Sequence, residues 1–255
     1  MNNKMKLFLV VVTAVSLLLL AGCGGGGNDN EKLTVGVDSM FVPFEFEQDG
    51  EMVGFDIDIL AELSERIGFD YEIQTMEFRG LIPALTSNSI DMALAGITIT
   101  EERKESIDFS IPYYDAGLLI MVRADNDDIN GIEDLEGRKV ATRTGTSSLD
   151  YLMSLDFINE DDVIAFDNMD AAYFELLTEG VDATLWDSPA QQYYAQTEGE
   201  GQVKIVGELL EGQQYGIGLP EGSELKADVD AALEEMMADG TYDELYVKWF
   251  GEMPQ

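Results

Sequence analysis

Stretches with an apolar period of two alternate with stretches of helical period along most of this chain, and that alternation restricts the fold more than any other feature. Leu33, Val35 and Val37 mark a strand. Ile57, Leu60, Ala61, Ser64 and Ile67 then share one face of a helix, with Asp56 placed as N-cap and Gly68 as the stop. A strand at 71–73, a helix over 79–87 and a strand over 90–96 follow. Beyond a Thr-rich turn at 98–103 and a short helix, the stretches GLLIMVR, KVATR, VIAF, DATLW, VKIV and YGIGLP read as strands, with helices near 148–154 and 170–178. The tail, 224–250, is helical and interrupted only at Gly240. Elements of this size in alternation predict an α/β protein with mostly parallel sheets and right-handed crossovers. No internal repeat is visible.

The first thirty residues stand outside that pattern. Lys4 and Lys6 precede an apolar run from Leu7 to Leu20, and Leu20-Ala21-Gly22-Cys23 follows. A basic start, a short apolar stretch and small residues at a cleavage point describe a secretory signal rather than a membrane span. Cys23 is the only cysteine, so it has no disulfide partner. The pattern resembles a bacterial lipoprotein signal: residues 1–22 are the signal peptide, and 23–30 are a lipidated Cys23 and the flexible tether GGGGNDN. An uncleaved anchor or an ordinary signal peptide is the alternative. The remainder is expected outside the cytoplasm, lipid-anchored to the cell membrane.

Composition removes several functions. The chain carries 14 Lys and Arg against 51 Asp and Glu, a net charge of −37, and no His. Such a polyanion does not bind nucleic acid or an anionic membrane through its surface. The charges are interspersed with apolar residues, which describes a solvated surface rather than a disordered acidic tail. A high-salt habitat, where screening relieves self-repulsion, is expected. Without His, a Ser–His–Asp arrangement is impossible and a zinc site improbable. No cofactor or metal is expected.

One cation is out of place. In ALAGITITEERKE, 93–105, Arg103 falls in the first turn of a predicted helix, where the dipole favours acids such as Glu101 and Glu102. A surface pair with Glu101 or Glu105 would account for it. So would an anionic ligand, because a guanidinium meets a carboxylate bidentately. In open α/β sheets ligands sit beyond the carboxyl ends of strands. The stretches VD at 37–38, LAGIT at 94–98, TRTGT at 142–146 and LWD at 185–187 are therefore candidate walls of one site.

VDSMFVPFEF (37–46), GFDIDIL (54–60), the long stretch 78–110, EGQQYGIGLP (211–220) and GTYDELYVKWFG (240–251) occur in that order. With them the chain resembles the amino-acid-binding proteins of ABC importers, the family 3 extracellular solute-binding proteins, over essentially its whole length beyond the tether. The resemblance implies a two-lobed periplasmic-binding-protein-like α/β fold. Lobe 1 would be 31–115 and 214–255, and lobe 2 would be 116–213. Hinge strands would lie near YDAG and EGQQ, where Gly117 and Gly212 can absorb dihedral changes.

The same resemblance assigns the site. Arg103, with Thr98 and the N–H groups of its helix, would hold the carboxylate of an amino acid. Asp187 would hold the ammonium, although an Asp before Ser188-Pro189 also reads as a helix N-cap. Gly96 would offer a carbonyl to the ammonium. Phe41 and Phe78 would enclose the ligand's stem, although each also reads as core. In RTGTSS the amides of Thr146 or Ser147 would cap the carboxylate from the second lobe. No Gly-Lys-Ser/Thr follows, which argues against a phosphate loop. Asp38 and Arg143 would reach the ligand side chain, and an acceptor beside a cationic donor suits a primary amide.

Glutamine is therefore expected, with asparagine as the shorter competitor. Glutamine-binding members carry Lys in place of Arg143 and His in place of Trp186, so glutamate or another polar amino acid is the alternative ligand. The Trp186 indole would narrow the cleft or stack on the ligand. The implied partner is a membrane permease, and the chain is expected to be monomeric and not an enzyme. A dehydratase on this fold is the alternative, with acid–base work left to carboxylates or Lys. Receptor modules of this shape would continue into a membrane helix. The sequence ends at Gln255 without an apolar span, so a transport protein is expected.

Overall fold

The computed structural model describes residues 32–251 and residue 253. The signal peptide, Cys23 and the tether lie outside the described residues.

Two five-stranded sheets organise the chain. The first has the order β5 (Tyr71–Thr75), β1 (Leu33–Val37), β6 (Met92–Ala93), β13 (Gly218–Pro220) and β7 (Ile107–Phe109). The second has the order β10 (Val163–Phe166), β9 (Val140–Arg143), β11 (Ala183–Asp187), β8 (Tyr114–Arg123) and β12 (Val203–Tyr215). In the first sheet only β13 runs against the others, and in the second only β8 does. The mostly parallel α/β architecture expected from the alternation is the one observed. Helices α1 (Phe55–Ile67), α2 (Phe78–Thr86) and α3 (Glu101–Lys104) belong to the first half, and α4 (Ser147–Ser154), α5 (Met169–Leu177) and α6 (Ser188–Gln196) to the second. The tail forms α7 (Leu225–Asp239) and α8 (Thr241–Phe250), broken at the left-handed Gly240, and both pack on α1.

Four details differ from the sequence reading. Helix α1 is capped by Gly54, not Asp56. A Cβ at Gly54 would lie 1.9 Å from the Phe44 carbonyl oxygen, so only glycine can pass there. The chain enters the helix two residues early and turns Asp56 fully inward. The strand predicted over 90–96 pairs only at Met92 and Ala93, because the backbone then bends into the left-handed Gly96. A small antiparallel sheet, β2 (Met40–Phe41), β3 (Glu45–Gln48) and β4 (Glu51–Val53), was not anticipated. Its β3–β4 turn is Asp49-Gly50, both at positive φ, a hairpin signal present in the sequence. Helix α6 was read only as the alternative for Asp187, as a capped start at Ser188-Pro189, because SPAQQYYAQ carries little apolar periodicity.

The chain passes between the sheets at 110–113 and at 216–217. Gly117 and Gly212 lie inside the paired strands β8 and β12, whose register shifts between Leu210 and Gln213. Around the crossings Phe44, Phe55, Tyr114, Tyr215 and Phe250 pack in one aromatic cluster, with Tyr114 stacked on Tyr215 at 5.6 Å. Phe44 is wholly buried, and a core of this kind loses about 3–5 kcal/mol when Phe becomes Ala. The site lies beyond the ends of β1, β6, β9 and β11.

Candidate functional site

Ten of the eleven residues singled out from the sequence line one small cavity: Phe41, Phe78, Gly96, Thr98, Arg103, Arg143, Thr146, Ser147, Trp186 and Asp187. Ala95 completes the wall. Asp38 is the eleventh, and it reaches the cavity through its buried ion pair with Arg143.

Arg103 sits in a single helical turn, α3, whose N-cap Thr100 accepts the Arg103 N–H at 3.1 Å. That amide is thus already used, and the expected anion-binding helix start is one turn long. The side chain turns into the cavity. Nη1 donates to the Thr98 carbonyl at 2.9 Å and Nη2 to the Gly145 carbonyl at 3.2 Å. Glu101 pairs with Lys104 at 2.7 Å, and among the described residues Arg103 enters no ion pair. Burial lowers its pKa, opposed by Asp150, Asp187 and Glu102. A guanidinium has five N–H donors, and carbonyls engage two groups here, so the cation faces the cavity uncompensated.

Asp187 lies across from it, at the end of β11. It occupies the N-cap position of α6, but its side chain makes no capping bond. Tyr215 Oη donates to Oδ2 at 2.6 Å, whereas Oδ1 is buried without a hydrogen-bond partner among the described residues. Burial pushes the pKa up to about 6; the Tyr215 bond and the charges of Arg103 and Arg143 pull the other way. Buried carboxylate oxygens are rarely left orphaned, because each forfeits its hydration.

Arg143 behaves differently. It pairs with Asp38 across the two sheets and donates through Nε to the Asp167 carbonyl at 3.0 Å. Asp38 Oδ1 accepts the Ser39 N–H at 2.9 Å. Phe78 lies between the two arginines, whose Cζ atoms stand 5.5 Å (Arg103) and 5.6 Å (Arg143) from its ring centre. Phe41 stacks on Phe44 at 4.7 Å and meets the Trp186 indole at 5.2 Å, so the indole packs beside the aromatic wall. A Cβ on Gly96 would come within 2.2 Å of the Phe41 ring, which explains the glycine.

The remaining polar residues close one side. Thr98 Oγ1 lies 3.3 Å from Ser147 Oγ, and both donate to Gln213 Oε1, at 3.2 and 3.1 Å. Thr146 turns its hydroxyl back to the Arg143 carbonyl at 2.7 Å and to Ser148, leaving the N-terminus of α4 without a side-chain cap. Sequence reasoning missed Gln213 and Tyr215. Both stand in the quoted EGQQYGIGLP, but nothing in the local pattern distinguishes them from strand residues.

A cavity with an uncompensated cation on one wall and an orphaned carboxylate oxygen on the other suits a small molecule bearing both charges. The model of the bacterial extracellular solute-binding proteins, family 3, matches residues 33–252. This chain belongs to that family. The L-cystine-binding protein TcyJ of Escherichia coli (strain K12) is 32% identical over 86% of this chain and 82% of its own length. The ABC transporter glutamine-binding protein GlnH of Bacillus subtilis (strain 168) is 33% identical over 89% of this chain and 84% of its own. Among solved structures, the arginine-, lysine-, histidine-binding protein ArtJ of Geobacillus stearothermophilus superposes with a TM-score of 0.84 at 35% identity, covering 88% of this chain and 97% of that one. The two sheets are thus the two lobes of a periplasmic-binding-protein-like fold.

Proposed function

We propose that this solute-binding protein captures a polar amino acid, glutamine in preference, between its lobes and delivers it to an ABC transporter permease. One observation carries the reading: the cavity holds one cation free of ion pairs and one buried carboxylate oxygen free of donors. An α-amino acid presents the complementary carboxylate and ammonium. Its desolvation is tolerable only when both ends are paired. Relatives named for cystine, glutamine and basic amino acids support the class and leave the member open.

In this reading Arg103 grips the ligand carboxylate, helped by Thr98 and by the amides of Thr146 and Ser147. Asp187 and the Gly96 carbonyl take the ammonium. Phe41, Phe78 and Trp186 exclude water, which strengthens both charge pairs. The Asp38–Arg143 pair meets the side chain. A primary amide can donate to Asp38 and accept from Arg143 without adding a charge. A basic side chain would meet Arg143 and an acidic one Asp38, each as a like charge.

Lobe 1 (31–115 and 214–255) and lobe 2 (116–213) close by hinge motion around the bound molecule, which contacts both. The closed form is the one the permease recognises. Cys23 carries the lipid that keeps the protein at the membrane surface, and the protein acts as a monomer without catalysing a reaction. A thermal-shift screen of the twenty amino acids, followed by calorimetry, tests this: glutamine raises the melting temperature most, above asparagine and glutamate. No shift with any amino acid would refute the function. A larger shift with arginine or cystine would refute the glutamine preference alone.

A further inference from the structure

The cleft wall rests on a second, sealed group of acids. Glu45 and Asp56 are each wholly inaccessible to solvent, and among the described residues neither forms an ion pair with a cation. They come from two of the quoted stretches, VDSMFVPFEF and GFDIDIL, at positions that do not line the site. The Asp56 N–H donates to the Phe44 carbonyl at 2.9 Å, so residue 45 is held beside residue 56 by the backbone itself.

The donors are divided unequally. Asp56 accepts the Tyr113 hydroxyl at 2.9 Å on both oxygens and the Gly96 N–H at 3.0 Å on Oδ2. Among the described residues Glu45 has no donor: both of its carboxylate oxygens are buried without a partner. Two ionised carboxylates cannot share such a place, since each raises the cost of the other and water screens neither. A single proton resolves the conflict. On Glu45 it turns an orphaned anion into a donor and gives Asp56 a further hydrogen bond, with the Glu45 carboxyl within reach of Asp56.

We propose that Glu45 is a positioning residue of the cleft: as a neutral acid it donates to Asp56, and Asp56 so held fixes the peptide joining Ala95 to Gly96. That peptide forms the wall against Phe41, and its positioning role rests on the amino-acid-binding function proposed above. Tyr113 adds a link to the crossing between the sheets, because it precedes β8 directly and its carbonyl accepts the Tyr242 hydroxyl at 2.5 Å.

The charges around the pair support the location of the proton. Burial is the main influence and raises both acids, Glu45 well above the usual carboxylate range and Asp56 to about 6. Asp56 and Asp38 push Glu45 further up, and Arg143 opposes them weakly, being already engaged by Asp38. Tyr113 and the Gly96 N–H hold Asp56 down, so the charge stays on Asp56. Tyr242 stands near enough to feel that charge. The sign follows. A carboxyl whose folded pKa lies above its unfolded value costs stability as pH rises through the unfolded value, and the cost is absent at acid pH.

Three measurements on the full chain test the proposal. In difference infrared spectra at pH 7, wild type minus Glu45→Gln shows the carbonyl band of a protonated carboxyl. In glutamine calorimetry, E45Q, whose amide still donates, stays within twofold of wild type, whereas E45L loses about tenfold. In melting, E45Q gains on wild type as pH is raised from 4 to 7. The proposal is overturned by an absent band, by a flat melting difference, or by E45Q and E45L binding alike. The infrared and melting results stand even where E45L fails to fold. If wild type binds no amino acid, the proposed function falls and the positioning role with it, while the band still reports the buried proton.

Discussion

Arg103 and Arg143 flank the same phenyl ring at nearly the same distance, 5.5 and 5.6 Å, yet they are in opposite electrostatic states. Arg143 is neutralised by Asp38, a partner brought from the other sheet. Among the described residues Arg103 is met by carbonyls and the Phe78 ring but by no anion, and the carboxylate that sequence neighbours offered it, Glu101, goes to Lys104. The difference separates two tasks. On the proposed function, a committed arginine would read the ligand's side chain through a pair it already has, while an uncommitted one would supply net charge to the ligand itself.

Breaking the uncommitted side has the largest effect. Arg103→Ala leaves the ligand carboxylate buried without its cation and lowers affinity by about 3–5 kcal/mol in calorimetry. The melting temperature of the free protein changes little, because the loss of two carbonyl contacts and the Phe78 contact is offset by removing a buried cation that has no ion pair among the described residues. Unaltered affinity would remove Arg103 from the site.

Asp187 is the next test, and its sign is opposite for stability and binding. Its folded pKa of about 6 lies above the ordinary carboxylate value of 3.8. The free protein therefore loses stability as pH rises from that value through 6, by about 3 kcal/mol at 1.36 kcal/mol per unit. Asp187→Asn removes the loss and melts higher than wild type at pH 7 without ligand, yet binds amino acids at least a hundredfold more weakly. Wild-type affinity falls as pH is lowered through 6, and the variant's does not. Tyr215→Phe sharpens the point: without its one donor, Asp187 titrates above 6, and affinity at pH 6 drops about tenfold.

The committed side yields smaller changes. Arg143→Lys keeps the charge but loses the fork that spans Asp38 and the Asp167 carbonyl. The order of preferred amino acids changes in the thermal-shift screen more than the affinity for the best one does. An identical order would place specificity elsewhere. The smallest effect comes from the surface: a net charge of −37 makes the melting temperature rise with added NaCl.

Much of the site was legible before any fold was known. Arg103 could be found because a cation in the first turn of a helix contradicts the dipole, whereas Gly96 was assigned only through the family resemblance, at the polar end of a predicted strand. Asp187 was ambiguous, since the N-cap position and the cleft position are the same backbone site; only the direction of the side chain separates them. Asp56 was misread for the related reason that a carboxylate at a helix start looks like a cap whether it faces solvent or the core. Tyr215 and Gln213 carried no signal, because their partners lie 28 residues (Asp187) and 66 residues (Ser147) away along the chain.

By itself the sequence determined the alternation of strands and helices, the strand ends that bear polar groups, and the family. Those features are local: periodicity, turn residues and short motifs act over a few residues, and the chain cannot avoid expressing them. Which arginine is ion-paired, which carboxylate oxygen goes without a donor, and which acids are buried away from any cation were decided only by the tertiary structure. Charge state depends on solvent exclusion and on neighbours drawn from distant segments, and neither exists until the two sheets face each other.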